Sequence, residues 1–426
     1  MAFTLAQKIF AKHGKNISSE KDLEAGRIVT AEVSLVLAND ITGAPCANSM
    51  KGMGAEKVFD KDKVVYVMDH FVPQKDIASA EQVKLSREFA AEQNLTHYYE
   101  GGDAGVEHAL LPELGLVGPG DLVVGADSHT CTYGGVGALG TGMGSADVAA
   151  CMALGETWFK VPETIRVEYE GALPKYVGGK DLVLWLIGQI GVDGARYKAL
   201  EFGGAAIDAL SIEGRLTMAN MAIEAGGKCG LFAADDKTLA FCKEAGRTGD
   251  AKLSPDANAI YERVISCDVS TLSPVVACPH LPENTAFAKD LENIPVHQVL
   301  IGSCTNGRIE DMRAAAQVLR GRKVKKGVRC VVLPATPKVV RTMLKEGITE
   351  TMLDAGCVIG PPSCGPCLGG HLGILAGGER CISTTNRNFK GRMGSLESEL
   401  YLANPYVAAA SAVTGVITDP GVLQGL

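Results

Sequence analysis

The chain has 426 residues, 46% of them hydrophobic and 21% charged, with a formal net charge of −8. That is long enough for two or three domains and ordinary for a globular protein. The negative balance argues against nucleic acid or an anionic membrane surface as the main partner, so an anionic ligand needs local arginines. Thirteen cysteines, an odd number without the spacing of a small disulfide-stapled domain, point to a reducing cytoplasm. The 51 glycines suit tight strand-to-helix loops that approach a ligand with bare backbone.

In chain order, residues 1–13 place Leu5, Ile9 and Phe10 at helical spacing with only Lys8 and Lys12 as basic charges. They read as a surface helix rather than a targeting peptide. Residues 1–60 otherwise carry few signals. Residues 64–68 predict a buried strand that ends in Asp69-His70. A carboxylate beside an imidazole can orient and charge it, although a histidine satisfied near a loop is the plainer alternative. A helix is expected over 84–93, and His108 comes after the glycine loop 101–105. Residues 121–126 predict a second strand, ending in Asp127-Ser128-His129. The run 134–140 after it satisfies G-x-G-x-x-G at Gly135, Gly137 and Gly140. The strand does not lead directly into these glycines and no acidic residue closes a second strand, so a dinucleotide reading is weak. A loop pressing its backbone against another cofactor is the better expectation, with a helix after it from Ser145 over 146–159.

Residues 164–170 alternate like a strand with one buried face, and 181–191 read as an apolar helix. A second helix over 216–226 sets Asn220 and Glu224 four apart, on one face. Residues 269–294, with prolines at 274, 279 and 282, read as an interdomain connection. From 296 a βα rhythm begins. Strands are expected at 296–302, 328–334, 356–360 and 380–384, with helices at 310–321 and 337–345. The alternation predicts a parallel sheet with helices on both faces. Past its last strand, Arg387 and Arg392 stand in a Gly/Asn loop suited to bidentate contacts with a dicarboxylate. The weakly apolar stretch 401–417 is broken by Asn404-Pro405 and falls short of a membrane span.

Three cysteines remain: Cys304 in Gly-Ser-Cys-Thr-Asn-Gly-Arg, and Cys364 and Cys367 in Cys-Gly-Pro-Cys-Leu-Gly. Each stretch is a loop past the carboxyl end of an expected strand, where ligands bind in open α/β sheets. Three thiols on two loops suit an iron–sulfur cube with one iron free of protein ligands, a Lewis acid open to substrate. The alternatives are a dithiol redox centre, a zinc site with His371 as fourth ligand, or inert buried thiols.

The spacing of Cys304 and the Cys364/Cys367 pair, with SCTNGR and CGPCLG around them, resembles the aconitase superfamily, in particular its isopropylmalate and homoaconitate branch. The resemblance spans essentially the whole chain. It implies three α/β domains, 1–160, 161–275 and 276–426, around a 4Fe–4S cluster held by Cys304, Cys364 and Cys367 with one iron open to substrate. It implies a hydro-lyase acting on a 2-hydroxy dicarboxylic acid, with isopropylmalate, homoaconitate and dimethylmalate types all open. Catalytic roles fall by resemblance to Asp69, His70, His108, Asp127, His129 and Glu224, the pairs being Asp69 with His70, Asp127 with His108 and Glu224 with His129. Substrate contacts fall to Ser128, Asn220, Asn386, Arg387 and Arg392. The chain stops where single-chain members continue into a swivelling domain that carries the base, so a small subunit is the expected partner, with neither nucleic acid nor membrane. A nicotinamide or dithiol redox protein and an iron-sensing RNA binder are the readings from other classes. The −8 charge disfavours the latter.

Overall fold

The computed structural model describes residues 2–423. Its first sheet has five parallel strands, in spatial order His97–Tyr99, Val64–Val67, Leu35–Asn39, Leu122–Gly125 and Leu139–Gly142. The three central strands are buried along their whole length, which is why they read as continuous apolar runs rather than alternating ones. Beside them, Ile28–Glu32 pairs antiparallel with Glu156–Lys160. The second sheet is also parallel, in the order Cys229–Phe232, Ala199–Gly203, Thr164–Glu170 and Arg263–Asp268. The third has seven strands: Thr285–Phe287, Val275–Ala277, Glu399–Leu402, Arg380–Ser383, Gln298–Gly302, Arg329–Leu333 and Val358–Ile359. Its last five are parallel, and the first two, of three residues each, run antiparallel at one edge.

The first sheet draws on residues 35–142, the second on 164–268 and the third on 275–402, but the apolar core does not divide with them. One buried cluster joins Ile165, Leu182 and Phe202 to Leu300, Leu333 and Leu400. Another joins Leu5, Phe10 and Val124 to Ala199, Cys229 and Leu231. The opening helix, Leu5–His13, is part of that second cluster: Leu5, Ile9 and Phe10 are buried. Its first amide donates to the buried Glu201 at 2.9 Å.

Several elements differ from the sequence reading. The stretch 269–294 is no linker, since it supplies the two antiparallel edge strands; strands of three residues are too short to show a period among prolines. The helix from Ser145 ends at Leu154, where Gly155 turns left-handed (φ +72°), and residues 156–160 form a strand. The expected helix over 216–226 is α-helical only over Ile212–Asn220 and tightens to a 3₁₀ turn over Met221–Ala225. Asn220 and Glu224 therefore do not share one α-helical face. Among the described residues no helix is long and apolar enough to cross a membrane.

Candidate active site

The first and third sheets send loops from their carboxyl ends to one point, and the second adds the helix and turn carrying Asn220 and Glu224. From the third sheet, the strand Gln298–Gly302 runs directly into a helical turn, Ser303–Asn306, that carries Cys304. Gly302 (φ +148°) makes the bend, and a Cβ there would meet the Leu333 carbonyl oxygen at 2.3 Å. The next residue, Ser303, is held at φ +77°, an uncommon conformation for a residue with a side chain. Cys364 and Cys367 come after the strand Val358–Ile359, the second of them in a 3₁₀ turn.

The three thiols are buried and unbridged. Cys364 stands between the other two, in hydrogen-bond contact with both. Contact with Cys364 drives the Cys304 thiol well below its usual range. The same contact brings Cys367 down to about 6, with Arg392 assisting. Asn220 and Asn386 each aim an amide N–H at Cys304 Sγ, at 3.3 and 3.2 Å. Val106, Ala109 and Ala335 form an apolar wall around the sulfurs. Three clustered thiols, the middle one raised well above its usual range by contact with the other two, N–H groups directed at sulfur and an apolar shell fit an iron–sulfur cluster attached through three cysteines. Zinc fits less well: His371 commits its Nε2 to the His70 carbonyl at 2.9 Å. A plain dithiol reading of Cys364 and Cys367 leaves the contact with Cys304 unexplained.

A cavity of about 170 Å³ opens over these sulfurs, walled also by Asp69, His70, Glu107, His108, Asp127, Ser128, His129, Arg387 and Arg392. Each histidine faces two carboxylates. His70 Nδ1 lies 2.7 Å from Asp69 and 3.1 Å from Asp40. Burial opposes charge on this ring, but the two carboxylates outweigh it and raise its pKa well above the usual value. His108 Nε2 is 3.0 Å from Asp127 and 3.4 Å from Glu107, and its other nitrogen meets the Tyr133 hydroxyl at 3.2 Å. His129 Nε2 is 2.8 Å from Glu224, and its Nδ1 is 3.5 Å from Asp127. Burial and Arg387 push this ring down, yet Asp127 and Glu224 carry it up to about 9. Asp127 is held well below the usual carboxylate range, its burial outweighed by both histidines.

Arg387 ties the third sheet to this network, its Nε donating to Glu224 at 2.8 Å. Arg392 reaches toward Cys367 at 3.9 Å. Asn220, Glu224 and Asn386 stand behind the cavity rather than in its wall. There Asn386 donates to Asn220 at 3.1 Å and to Thr305 at 3.0 Å. The loops are also stitched across the sheets, with Cys364 N–H donating to the Asp69 carbonyl (3.0 Å) and Ser363 Oγ to the His70 carbonyl (2.9 Å).

The sequence reading missed Asp40 and Glu107. Asp40 also accepts the N–H groups of His70 and Phe71, at 3.1 and 2.8 Å. It ends the buried strand Leu35–Asn39, the position that marked Asp69 and Asp127, and that was its one available signal. Glu107 lies beside His108 with Oε1 accepting from Asn39 at 3.0 Å. Burial, then the charges of Asp69 and Asp127, raise its pKa well above the usual range. The glycine run 134–140 meets protein rather than a cofactor. A Cβ on Gly134 would sit 1.5 Å from the Gly230 carbonyl oxygen, and one on Gly135 2.6 Å from the Leu216 backbone. These glycines let the turn carrying His129 pack directly on the second sheet and its helix.

Residues 7–415 match the aconitase family (aconitate hydratase). Among relatives, the 3-isopropylmalate dehydratase large subunit of Nitratidesulfovibrio vulgaris (strain DSM 19637 / Miyazaki F) is 68% identical over 423 residues, covering 99% of this chain and 100% of that one. The protein of the same description from Oleidesulfovibrio alaskensis is 67% identical over 420 residues, covering 99% of each chain. That from Moorella thermoacetica is 56% identical over 420 residues, again covering 99% of each. Among solved structures, Thermococcus kodakaraensis aconitase X (holo-form) aligns at a TM-score of 0.49 with 14% identity, over 88% of this chain and 89% of that chain.

Proposed function

The chain belongs to the aconitase family, and from that premise we propose that it works as the large subunit of a 3-isopropylmalate dehydratase, a hydro-lyase. The observation that carries the reading is end-to-end identity of 68% with a large subunit of that description. Supporting it is a site in which three thiols, three carboxylate-paired histidines and two arginines meet in one cavity.

In this reading Cys304, Cys364 and Cys367 hold a 4Fe–4S cluster, which when bound supplies an open iron as Lewis acid for a hydroxyl and a carboxylate. The rest falls to side chains of the chain. Arg387 spends Nε on Glu224 and keeps its terminal N–H pair for a substrate carboxylate, a bidentate match. Arg392 supplies a second positive charge beside the sulfurs. Loss of hydroxide needs a proton at the departing oxygen, and an imidazolium held charged by two carboxylates can give it. His70 and His129 have that character. When water returns at the neighbouring carbon, the same ring takes the proton back. Asp40, Asp127 and Glu224, held below the usual carboxylate range, remain anionic partners that keep the rings oriented, and Asp69, which burial raises, shares His70 with Asp40.

Elimination also needs a base for the C–H next to a carboxylate. The carboxylates Asp69 and Asp127 of the cavity wall, and Glu224 behind it, are committed to histidines, which leaves none of them free to take that proton. A small subunit closing over the cavity and bringing the base meets the need. The test is to load the purified chain with iron and sulfide anaerobically and to assay 3-isopropylmalate turnover with and without the small subunit. Turnover that rises to saturation at a fixed subunit ratio is expected. Full activity from this chain alone would overturn the assignment of the base.

A further inference from the structure

Lys180 has no role in the chemistry above, yet it is among the most deeply buried charged side chains in the molecule. It is the second residue of the helix Gly179–Ile190 and is 2% exposed. Its ammonium crosses to the third sheet and donates to two successive carbonyls, Thr384 at 2.9 Å and Thr385 at closer range. Among the described residues it makes no ion pair. A buried charge with only neutral partners is costly unless negative charge stands nearby. Burial pulls the ammonium down to about 7, and negative charge acts against it from Asp311, Cys367, Cys304 and Asp181, in that order of effect.

Beyond Thr385 the chain enters the site directly. Asn386 donates to Cys304 Sγ at 3.2 Å and accepts from the Cys367 thiol at 3.3 Å, and Arg387 is bound to Glu224. Lys180 thus grips the chain immediately before the residues that touch two of the three sulfurs and the network of His129. Its own mounting is rigid. The next residue, Asp181, is buried and accepts from the backbone of Val275 and Gly178 at 2.8 Å and from Asn404 at 2.9 and 3.0 Å.

We propose that Lys180 is a positioning residue of the site: it pins the turn that presents Asn386 and Arg387, and while protonated it places a positive charge behind the cysteines that raises the electron affinity of the cluster they carry. The inference rests on the reading that these cysteines carry an iron–sulfur cluster. A merely structural cross-link would need the hydrogen bonds but not the charge, and Lys180→Gln separates the two because an amide still donates. The test uses the reconstituted complex of both subunits with Lys180→Gln, Lys180→Met and Lys180→Arg. Midpoint potential is tracked by electron paramagnetic resonance at about pH 6, where the ammonium is charged, and kcat and KM are measured with 3-isopropylmalate. Both neutral variants are expected to shift the potential negative while Lys180→Arg stays near the parent. Lys180→Met should also raise KM by about tenfold as Arg387 loses its seat, the loss of roughly one charged hydrogen bond. Neutral variants with full cluster content and the parent's potential would overturn the proposal. If neither neutral variant loads cluster, Lys180→Arg must load it, and its failure would overturn the charge role. A parent chain that takes up no cluster would instead sink the underlying reading.

Discussion

Replacing Arg387 by lysine conserves charge and removes geometry, so it isolates what the guanidinium fork does. The side chain is 20% exposed and its Nε bonds to Glu224, whose side chain is only 2% exposed. Arginine serves that buried carboxylate with one N–H and keeps the terminal pair for the cavity. A lysine ammonium on a different stem can satisfy Glu224 or a substrate carboxylate, but not both in the same geometry. Keeping Glu224 satisfied costs the substrate contact, a hydrogen bond to a charged group worth about 1.5–3 kcal/mol. At about 1.36 kcal/mol per decade that is roughly a ten- to hundredfold loss in kcat/KM. Serving the substrate instead leaves Glu224 with His129 alone, and the loss then appears in stability, at about 1.5–3 kcal/mol for a lost hydrogen bond to a charged group. Steady-state kinetics on the two-subunit enzyme and urea unfolding of the chain together distinguish these outcomes. Arg387→Lys with parental kcat/KM and parental stability would refute the reasoning, because it would mean that the fork has no second partner.

Cys364→Ser and Cys367→Ser should each lower iron bound after anaerobic reconstitution, while Cys242→Ser, in another buried cluster, should bind as much as the parent; equal iron in all of them would remove the cysteine pair from the site. Glu213 is a pH prediction away from the cysteines: burial, then the adjoining Glu310 carboxyl, raises it from 4.5 to about 7. The folded chain therefore holds a proton there that the unfolded chain has lost, so this pair subtracts stability as pH rises from 4.5 to about 7. Glu213→Gln should leave unfolding at about pH 4.5 unchanged and stabilise at about pH 8 by up to about 3 kcal/mol, and an equal shift at both pH values would contradict the assignment. Gly135→Ala drives a Cβ to 2.6 Å from the Leu216 backbone, so it should cost about 1–3 kcal/mol in denaturant unfolding; an unchanged midpoint would show that the contact between the first and second sheets can relax freely.

What the sequence revealed depended on how locally each feature is encoded. The strand Thr164–Glu170 was legible because its buried and half-exposed residues alternate, and the helix Pro337–Lys345 because Thr336 caps it and proline takes its first position. The edge strands Val275–Ala277 and Thr285–Phe287 were not, because pairing with distant residues creates them, not a pattern of their own. The helix break after Asn220 was hidden because Met221 and Ala222 are good helix formers; in the fold both are buried in the core shared by the second and third sheets. At the site, residues in distinctive spacing could be named in advance. Asp40 and Glu107 could not: Asp40 gains meaning only when His70 arrives from another loop, and Glu107, at a helix start beside His108, only when Asn39, Asp69 and Asp127 gather around it. The glycines of 134–140 were noticed for the right reason, close approach, with the wrong neighbour.

The continuity of the apolar core across the three sheets bears on how the molecule can move. Sliding one sheet against another would expose residues such as Leu300 and Leu402, which are fully buried among side chains of the second stretch. Motions of that kind are costly because they uncover apolar surface, so the loops that each sheet sends to the cavity keep their spacing. By the same logic, anything gripped between the cysteine loops and the histidine loops is gripped by the whole fold at once. Its binding free energy adds to the stability of all three sheets together.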